Sequence, residues 1–405
     1  MTDERHICII TSSSISEDGI GGEGKYSILL YNWLKSRNIK STLLGSKSIK
    51  IKTFDPAYKY KKIISGKNRS KKKISLAPYP LFMTYRLVIS LFLSVKIFQL
   101  HFNSPISLIH SQDTGYTGLA AIVVGKILRV PVIVSSHGIR HRTIHHSLRS
   151  RLKGIIFRIE RNLDTFTVKN ANEVIVDNDA IKNYFEKIVK KRIKSIPIPI
   201  RLDEFEYSLS NRTTIRSDLG CDESTKIIGF IGRFAPEKNL ISLLTVFSKL
   251  LQNSFQAKLV LVGTGPLESE MKNYVSKMNM ADNVIFCGVR NDINKILSSF
   301  DIFILPSFTE GMSVALLEAM ATGCAIICSK IPTNAEIISD RKEGILIDPH
   351  NLIEMEKVIR ELIEDDLLRS ELKCNAEKKA IQFDINVVFP KVILSYDKLI
   401  GRPLH

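Results

Sequence analysis

Short runs of β-branched and aliphatic residues recur along this chain, separated by longer segments with apolar residues at helical spacing, and no other feature narrows its fold as much. In the first half the runs are "HICII" (6–10), "STLLG" (41–45), "SLIHS" (107–111), "VPVIVSS" (130–136) and "EVIVDN" (173–178). The pattern restarts near residue 225 with "KIIGFIGR" (226–233), "KLVLVG" (258–263), "NVIFCG" (283–288), "DIFILPS" (301–307), "CAIICS" (324–329) and "GILID" (344–348). Between them lie segments such as "NLISLLTVFSKLLQ" (239–252) and "VALLEAMA" (314–321). Continuous apolar strands alternating with amphipathic helices predict parallel sheets covered on both faces. A pattern that runs twice through 405 residues predicts two such lobes with a cleft between them, because one core of that size would be too large.

The crossover is read in "SIPIPIRLDEF" (195–205), where Pro197 and Pro199 disfavour regular helix. The expected division is an N-terminal lobe over 1–205, a C-terminal lobe over 206–384, and a last segment, 385–405, returning to the first lobe. That segment, "INVVFPKVILSYDKLI", reads as an amphipathic helix broken or kinked at Pro390. The six cysteines are scattered with no C-x-x-C, and the N-terminus has acids where an export leader has cations, so a reduced cytosol is the expected home. "LFMTYRLVISLFLSVKIFQL" (81–100) contains Arg86 and Lys96, which argues for a buried or interfacial helix over a membrane span.

"DGIGGEGKYS" (18–27) contains a literal G-x-G-x-x-G. A dinucleotide-binding turn would follow its strand almost directly and be answered by an acid about 20 residues on. Here "TSSSISED" intervenes and "STLLGSKS" (41–48) offers no acid, so dehydrogenase chemistry is set aside. A glycine-rich loop near the end of the first strand remains, equally readable as a ligand loop or a flexible turn.

The second half is more specific. In "LPSFTEGMSVALLEAMATGCAIICS" (305–329), Glu310 ends a loop, Gly311 relaxes the backbone, and Glu318 lies about two turns into a helix whose first amides, at Met312 to Val314, face any phosphate placed there. "FIGRFAPEKN" (230–239) sets Arg233 and Lys238 after a strand, where two cations can neutralise a diphosphate without a metal. "LVGTGPL" (261–267) adds Gly263 and Gly265, which admit a base or ribose close to the backbone. Each cluster alone has a plainer reading as surface or capping residues; all three follow strands and so can converge.

Taken together, the E-x7-E from Glu310 to Glu318, "GR" and "EK" at 232–238, "GTGPL", the glycine pair at 21–22 and "HG" at 137–138 resemble the family 4 retaining glycosyltransferases of GT-B fold. The resemblance spans nearly the whole chain in order. It implies two Rossmann-like lobes with an interdomain cleft and a UDP- or GDP-linked sugar donor held without metal or other cofactor. Arg233 and Lys238 would hold the diphosphate, the backbone of Gly311, Met312, Ser313 and Val314 the phosphate, Glu318 the ribose and Glu310 the transferred sugar. Gly263, Thr264, Val289 and Arg290 would border the nucleoside, the Gly21–Gly22 loop would cover the diphosphate or acceptor, and His137 would position and polarise beside the sugar. The expected catalytic set is thus His137, Arg233, Lys238 and Glu310. Where relatives read "EGFG" this chain has "EGMS", so Ser313 adds a hydroxyl to the phosphate contact; where many read "IPNGVD" it has "IPIPIR" (196–201). His137 and His141 are spaced as metal ligands can be, but no nearby acid or thiol completes a set, so no metal site is expected.

Charge is distributed unevenly. Of the formal net charge of +17, residues 1–205 supply +20, with 35 lysines and arginines against 15 acids, and the remainder −3. "YKYKKIISGKNRSKKK" (58–73) carries no acid, and in "SLRSRLKGIIFRIERNL" (147–163) Leu148, Leu152, Ile155, Ile156, Ile159 and Leu163 form one stripe among cations. Such a helix suits an anionic membrane surface, or equally a core-packed position with a solvated basic face. The expectation is a peripheral enzyme on the inner face of the plasma membrane, adding a hexose or N-acetylhexosamine to a membrane-anchored glycan in O-antigen, capsule or lipopolysaccharide assembly. The alternatives are a soluble synthase or phosphorylase-like enzyme of the same fold, a non-catalytic partner subunit, and a nucleic-acid-binding protein. The last is suggested by charge alone and lacks the interleaved aromatics and motifs such binding uses, so no nucleic acid partner is expected.

Overall fold

Each of the eleven apolar runs above ends at glycine, proline or a small polar residue, and each forms a strand in the computed structural model, which describes residues 5–12, 22–45, 79–138, 152–191, 193–252 and 257–401. By its internal contacts the chain divides into two units. The first comprises the described residues up to Asp177, Ile181–Ile196 and those from Lys391 on; the second comprises Asn178–Ala180 and Pro197–Pro390.

In the first unit β1 (Ile7–Ile10), β2 (Ser41–Leu44), β3 (Leu108–Ser111), β4 (Val132–Ser136), β5 (Glu173–Val176) and β6 (Lys194–Ser195) form one parallel sheet in the order β2-β1-β3-β4-β5-β6. β1, β3, β4 and β5 are buried at every position, as strands covered on both faces must be. Only β6 has no apolar run to announce it.

The second unit repeats the plan. β7 (Lys226–Ile231), β8 (Ala257–Val262), β9 (Val284–Gly288), β10 (Ile302–Leu305), β11 (Ala325–Ser329) and β12 (Ile345–Ile347) are parallel in the order β12-β11-β10-β7-β8-β9. The order reverses direction between β7 and β10 in this sheet and between β1 and β3 in the other. Such switch points, at the carboxyl ends of the strands, are where open α/β sheets leave room for ligands.

The "IPIPIR" segment groups with the second unit: Ile200 donates its amide to Phe383 at 2.8 Å and accepts from Ile385 at 3.0 Å. The final helix, Ile385–Ile400, runs through Pro390 without a break. Its last turns belong to the first unit, where buried Tyr396 sets its hydroxyl 2.6 Å from His110 Nδ1 and Ser395 receives Lys194 Nζ at 2.8 Å.

Helix Tyr79–Asn103 buries Leu93 and Ile97 and exposes Leu87, Leu91, Val95 and Phe102. Among the described residues no helix is long and apolar enough to cross a membrane. Helix Leu152–Asn170 corrects a simple packing expectation: its inward residues include Glu160, Asp164 and Thr167, while Ile159 and Phe166 are exposed. It docks by polar contacts, Arg86 to Glu160 at 3.1 Å and Thr114 to Asp164 at 2.7 Å. Gly21, the basic stretch 58–73, His141 and the start of the 147–163 stripe with Leu148 lie outside the described residues.

Candidate functional site

In the second unit the loops after β7, β8, β9 and β10 are laced together by their own backbones. Gly232 donates to Val262 O at 3.0 Å, Phe234 to Thr264 O at 3.0 Å and Gly263 to Gly288 O at 2.7 Å, while Phe308 reaches across the switch point to Glu237 O at 2.8 Å. The approach is so close that only glycine fits. A Cβ on Gly263, whose φ is +134°, would lie 1.9 Å from Gly232 O, and one on Gly265 would lie 2.2 Å from Phe234 O.

Lys238 closes a single 3-10 turn, Pro236–Lys238, that ends on Asn239 in the left-handed region at φ 57°. That turn directs its ammonium to Glu310, with Nζ 2.6 and 2.8 Å from the two carboxylate oxygens. Ser307 donates to the same carboxylate at 2.6 Å. The lysine is 18 % and the glutamate 8 % exposed, so both charges are largely withdrawn from water and each is satisfied by the other. Arg233 is exposed and, among the described residues, makes no hydrogen bond or ion pair.

Helix Val314–Ala321 begins beside this pair. Its first amides have no acceptor within the helix, and buried Glu318 lies on its second turn. Ser313 is the N-cap: its hydroxyl accepts from Leu316 N at 3.4 Å, so the oxygen expected to serve a phosphate is first engaged by the helix itself. The Met312 thioether accepts the Ile198 amide at 3.1 Å, which ties the helix start to the crossover segment. Thr264 donates to Glu268 at 2.6 Å, and Arg290 is closed on Asp292 by bonds of 2.7 and 2.6 Å that raise the guanidinium's proton affinity, leaving Val289 exposed at the tip of the turn. Arg233, Lys238, Glu310 and the start of this helix thus share one switch point; Gly263 and Thr264 adjoin it through β8, and Val289 and Arg290 follow β9.

His137 belongs to the first unit, directly after β4. Its Nδ1 lies 2.9 and 3.1 Å from the carboxylate oxygens of Asp177, which follows β5, and its Nε2 lies 3.1 Å from Oε1 of Gln112, which follows β3. The Tyr26 ring packs on the imidazole at 4.8 Å. Burial opposes a charge there, but Asp177's charge and hydrogen bond, joined by the charge of Glu23, together outweigh it and raise the histidine's pKa. Glu23 stands in the first turn of helix Gly22–Ser36 and accepts from Thr11 at 2.9 Å and from the Ser12 amide at 3.0 Å. Gly22 opens that helix. Among the described residues no three His, Cys, Asp or Glu side chains gather as a metal would require.

Two family profiles tile the chain: "Glycosyltransferase Family 4" matches residues 20–204 and "Glycosyl transferases group 1" matches 211–379. The chain is a family 4 glycosyltransferase. It is 25 % identical over 281 residues to UDP-Gal:alpha-D-GlcNAc-diphosphoundecaprenol alpha-1,3-galactosyltransferase of Escherichia coli, a match covering 68 % of this chain and 70 % of the relative. Its fold is GT-B. Sucrose-phosphate synthase from Thermosynechococcus elongatus superposes with a TM-score of 0.76 at 17 % identity, covering 98 % of this chain and all of the other. HepE of Anabaena, solved in complex with UDP, superposes with a TM-score of 0.72 at 16 % identity, covering 97 % of this chain and all of the other.

Three polar groups of this glycosyltransferase are not among the residues that sequence spacing singled out. Gln112, Asp177 and Glu23 gather around His137, the first two from the ends of β3 and β5 and the third from the first turn of helix Gly22–Ser36. The signal that marks two of them is position: "SLIHSQD" and "EVIVDN" put Gln112 and Asp177 immediately after a strand's last apolar residues.

Proposed function

We propose that this glycosyltransferase binds a nucleotide-diphosphate sugar at the β7/β10 switch point and transfers a hexose or N-acetylhexosamine, with retention, to a membrane-anchored glycan. The observation that carries the reading is the Lys238–Glu310 pair beside Arg233, unpartnered among the described residues, and the amides of Val314 and Ala315 that open helix Val314–Ala321 ahead of the capped Leu316. Two cations and a helix N-terminus suit a diphosphate, and a carboxylate next to them suits the hydroxyls of the attached sugar. In the proposed reaction the bond from the anomeric carbon to the diphosphate oxygen breaks while that carbon bonds to the acceptor oxygen on the same face. The acceptor's proton passes to the departing phosphate oxygen, and Arg233 and Lys238 hold the charge that develops there. No step assigns work to a metal. The E. coli relative is named for a UDP-linked donor and an undecaprenol-linked acceptor, and HepE binds UDP, so UDP is the first nucleotide to try.

The membrane part of the proposal rests on the first unit's helices. Helix Tyr79–Asn103 exposes Leu91 at 66 % and Phe102 at 78 %, and Ile127 on helix Tyr116–Leu128, which packs against it, is 63 % exposed. Exposed cations flank these side chains: Lys96, Lys126, Arg129, Arg158, Arg161 and Lys169. The only acids on the three helices, Glu160 and Asp164 of Leu152–Asn170, are buried. Apolar side chains set among cations, with no exposed acid, complement an anionic leaflet.

A thermal-shift panel of UDP, GDP, ADP and their common sugar conjugates, with and without EDTA, tests the donor reading. A folded-state ligand raises the apparent stability by mass action. One nucleotide should shift the transition equally with and without EDTA; no shift with any nucleotide would remove the donor site, and loss of the shift in EDTA would remove metal independence.

A further inference from the structure

The first unit has its own switch point, between β1 and β3, and Gln112 stands on it. Its amide N–H donates to Ile10 O at 2.8 Å, joining the two strands where their order reverses. The side chain is only 1 % exposed, yet its Nε2 has no hydrogen-bond partner among the described residues. Buried polar atoms are nearly always satisfied, so such a group asks for the oxygen it lacks.

His137 determines which end of the Gln112 amide is free. Asp177 accepts from Nδ1, and Gln112 Oε1 accepts from Nε2, so both ring nitrogens carry protons and both are engaged. The groups facing the ring are Asp177 beyond β5, Glu23 and Tyr26 on helix Gly22–Ser36, and neutral His110 on β3, whose own pKa burial presses down to about 3. With its proton in place the imidazolium cannot accept, so turning the Gln112 amide over would set N–H against N–H. The ring itself has no nitrogen left for a substrate.

We propose that Gln112 is the first unit's substrate-contacting residue, donating from Nε2 to a sugar hydroxyl, and that His137 and Asp177 are positioning residues that hold its amide in that sense. The imidazolium is cancelled by Asp177, and Glu23 leaves one net negative charge, so the site favours a neutral hydroxyl over a phosphate. This inference rests on the sugar-transfer reading above; the sugar belongs either to the donor or to the acceptor.

The test uses the full-length protein and the variants Gln112→Met, Gln112→Glu and Asp177→Asn. UDP alone is compared with UDP-glucose, UDP-galactose and UDP-N-acetylglucosamine in thermal shift, and KM is measured for α-GlcNAc-diphosphoundecaprenol as acceptor. In Gln112→Met the UDP shift should persist, while either the extra affinity from the hexose or the acceptor KM worsens about tenfold; the first result assigns the hydroxyl to the donor and the second to the acceptor. Gln112→Glu keeps an oxygen for His137 and should show the same loss, which covers the case in which the methionine variant does not fold. In Asp177→Asn burial is no longer outweighed, so the histidine loses its proton at a lower pH than in the wild type and the Gln112 amide can turn over; sugar recognition should fail at pH 8 and recover as the solution is acidified. The wild type should hold its response to higher pH than that variant. Unchanged sugar recognition in both Gln112 variants, or a pH-independent Asp177→Asn, overturns the proposal. A wild type that no member of the UDP, GDP and ADP panel stabilises overturns the transfer reading itself, whatever the variants do.

Discussion

Replacing Glu310 with glutamine should tighten the binding of UDP while abolishing transfer. Lys238 is held by two charge-assisted bonds of 2.6 and 2.8 Å to a carboxylate that is 8 % exposed. A diphosphate that recruits this ammonium must draw it from that carboxylate, and hydrogen bonds to charged groups are worth about 1.5–3 kcal/mol. The amide of Glu310→Gln would keep a neutral acceptor for the lysine, of roughly half the strength, so the pull opposing the diphosphate falls by about 1 kcal/mol. That difference corresponds to a roughly fivefold lower Kd for UDP. Lys238→Ala works in the other direction, removing a cation from the diphosphate and leaving Glu310 buried without its partner, at a cost of about 3–5 kcal/mol in stability. Calorimetric titration with UDP and denaturant unfolding of the two single variants and the double variant separate the terms. The double variant should recover part of the stability lost in Lys238→Ala, because no charge is then left unpaired. If Glu310→Gln weakens UDP binding as much as Lys238→Ala does, Glu310 does not compete with the diphosphate for Lys238 and the reasoning fails.

Three other perturbations reach different parts of the molecule. Gly263→Ala forces a Cβ to within 1.9 Å of Gly232 O at a φ of +134°, so it should cost about 2 kcal/mol or more in thermal or denaturant unfolding; a neutral result would mean the β7 and β8 loops separate freely. Asp301 is buried, accepts the Ile227 amide at 2.8 Å and pairs with Arg212 and Arg216; burial resists its ionisation, but these partners outweigh it and lower its pKa. Asp301→Asn should therefore lose about 3–5 kcal/mol at pH 7. Because the folded pKa lies below the unfolded one, the wild-type advantage is present above about pH 3.9 and disappears as pH falls through the lower, folded value, where the two proteins should unfold alike. Leu91→Glu combined with Phe102→Glu should reduce sedimentation with phosphatidylglycerol vesicles and leave the melting temperature within about 2 °C, since both side chains are exposed; undiminished sedimentation would place any membrane contact elsewhere.

The sheets were legible because strands covered on both faces are largely apolar, and eleven of the twelve strands among the described residues fall on such a run. β6 has only two residues and little composition to betray it. Helix Leu152–Asn170 misleads for a physical reason: its inward acids are engaged, through Glu160 Oε1 and Asp164 Oδ1, by Arg86 and Thr114, 74 and 50 residues away in sequence, so the usual equation of apolar with inward does not hold. At the switch point of the second unit, Lys238 and Glu310 could be singled out because each stands in a spacing tied to a strand and a helix. Gln112, Asp177 and Glu23 could not, since only the strand order β2-β1-β3-β4-β5 and the helix Gly22–Ser36 that follows β1 bring them together around His137.

The return of the last helix to the first unit has a consequence for synthesis. His110, at the heart of the N-terminal sheet, has one ring nitrogen satisfied by Ser135 and the other by Tyr396, 286 residues later. Until Tyr396 has been made that nitrogen lacks its native partner and the space of Tyr396 and Val392 is unfilled, so the unit made first cannot reach its final stability before residues 392–396 emerge from the ribosome. A ribosome that stops short of those residues would release an otherwise finished second unit attached to an incomplete first one, marking the truncated product for removal by the cell's proteases.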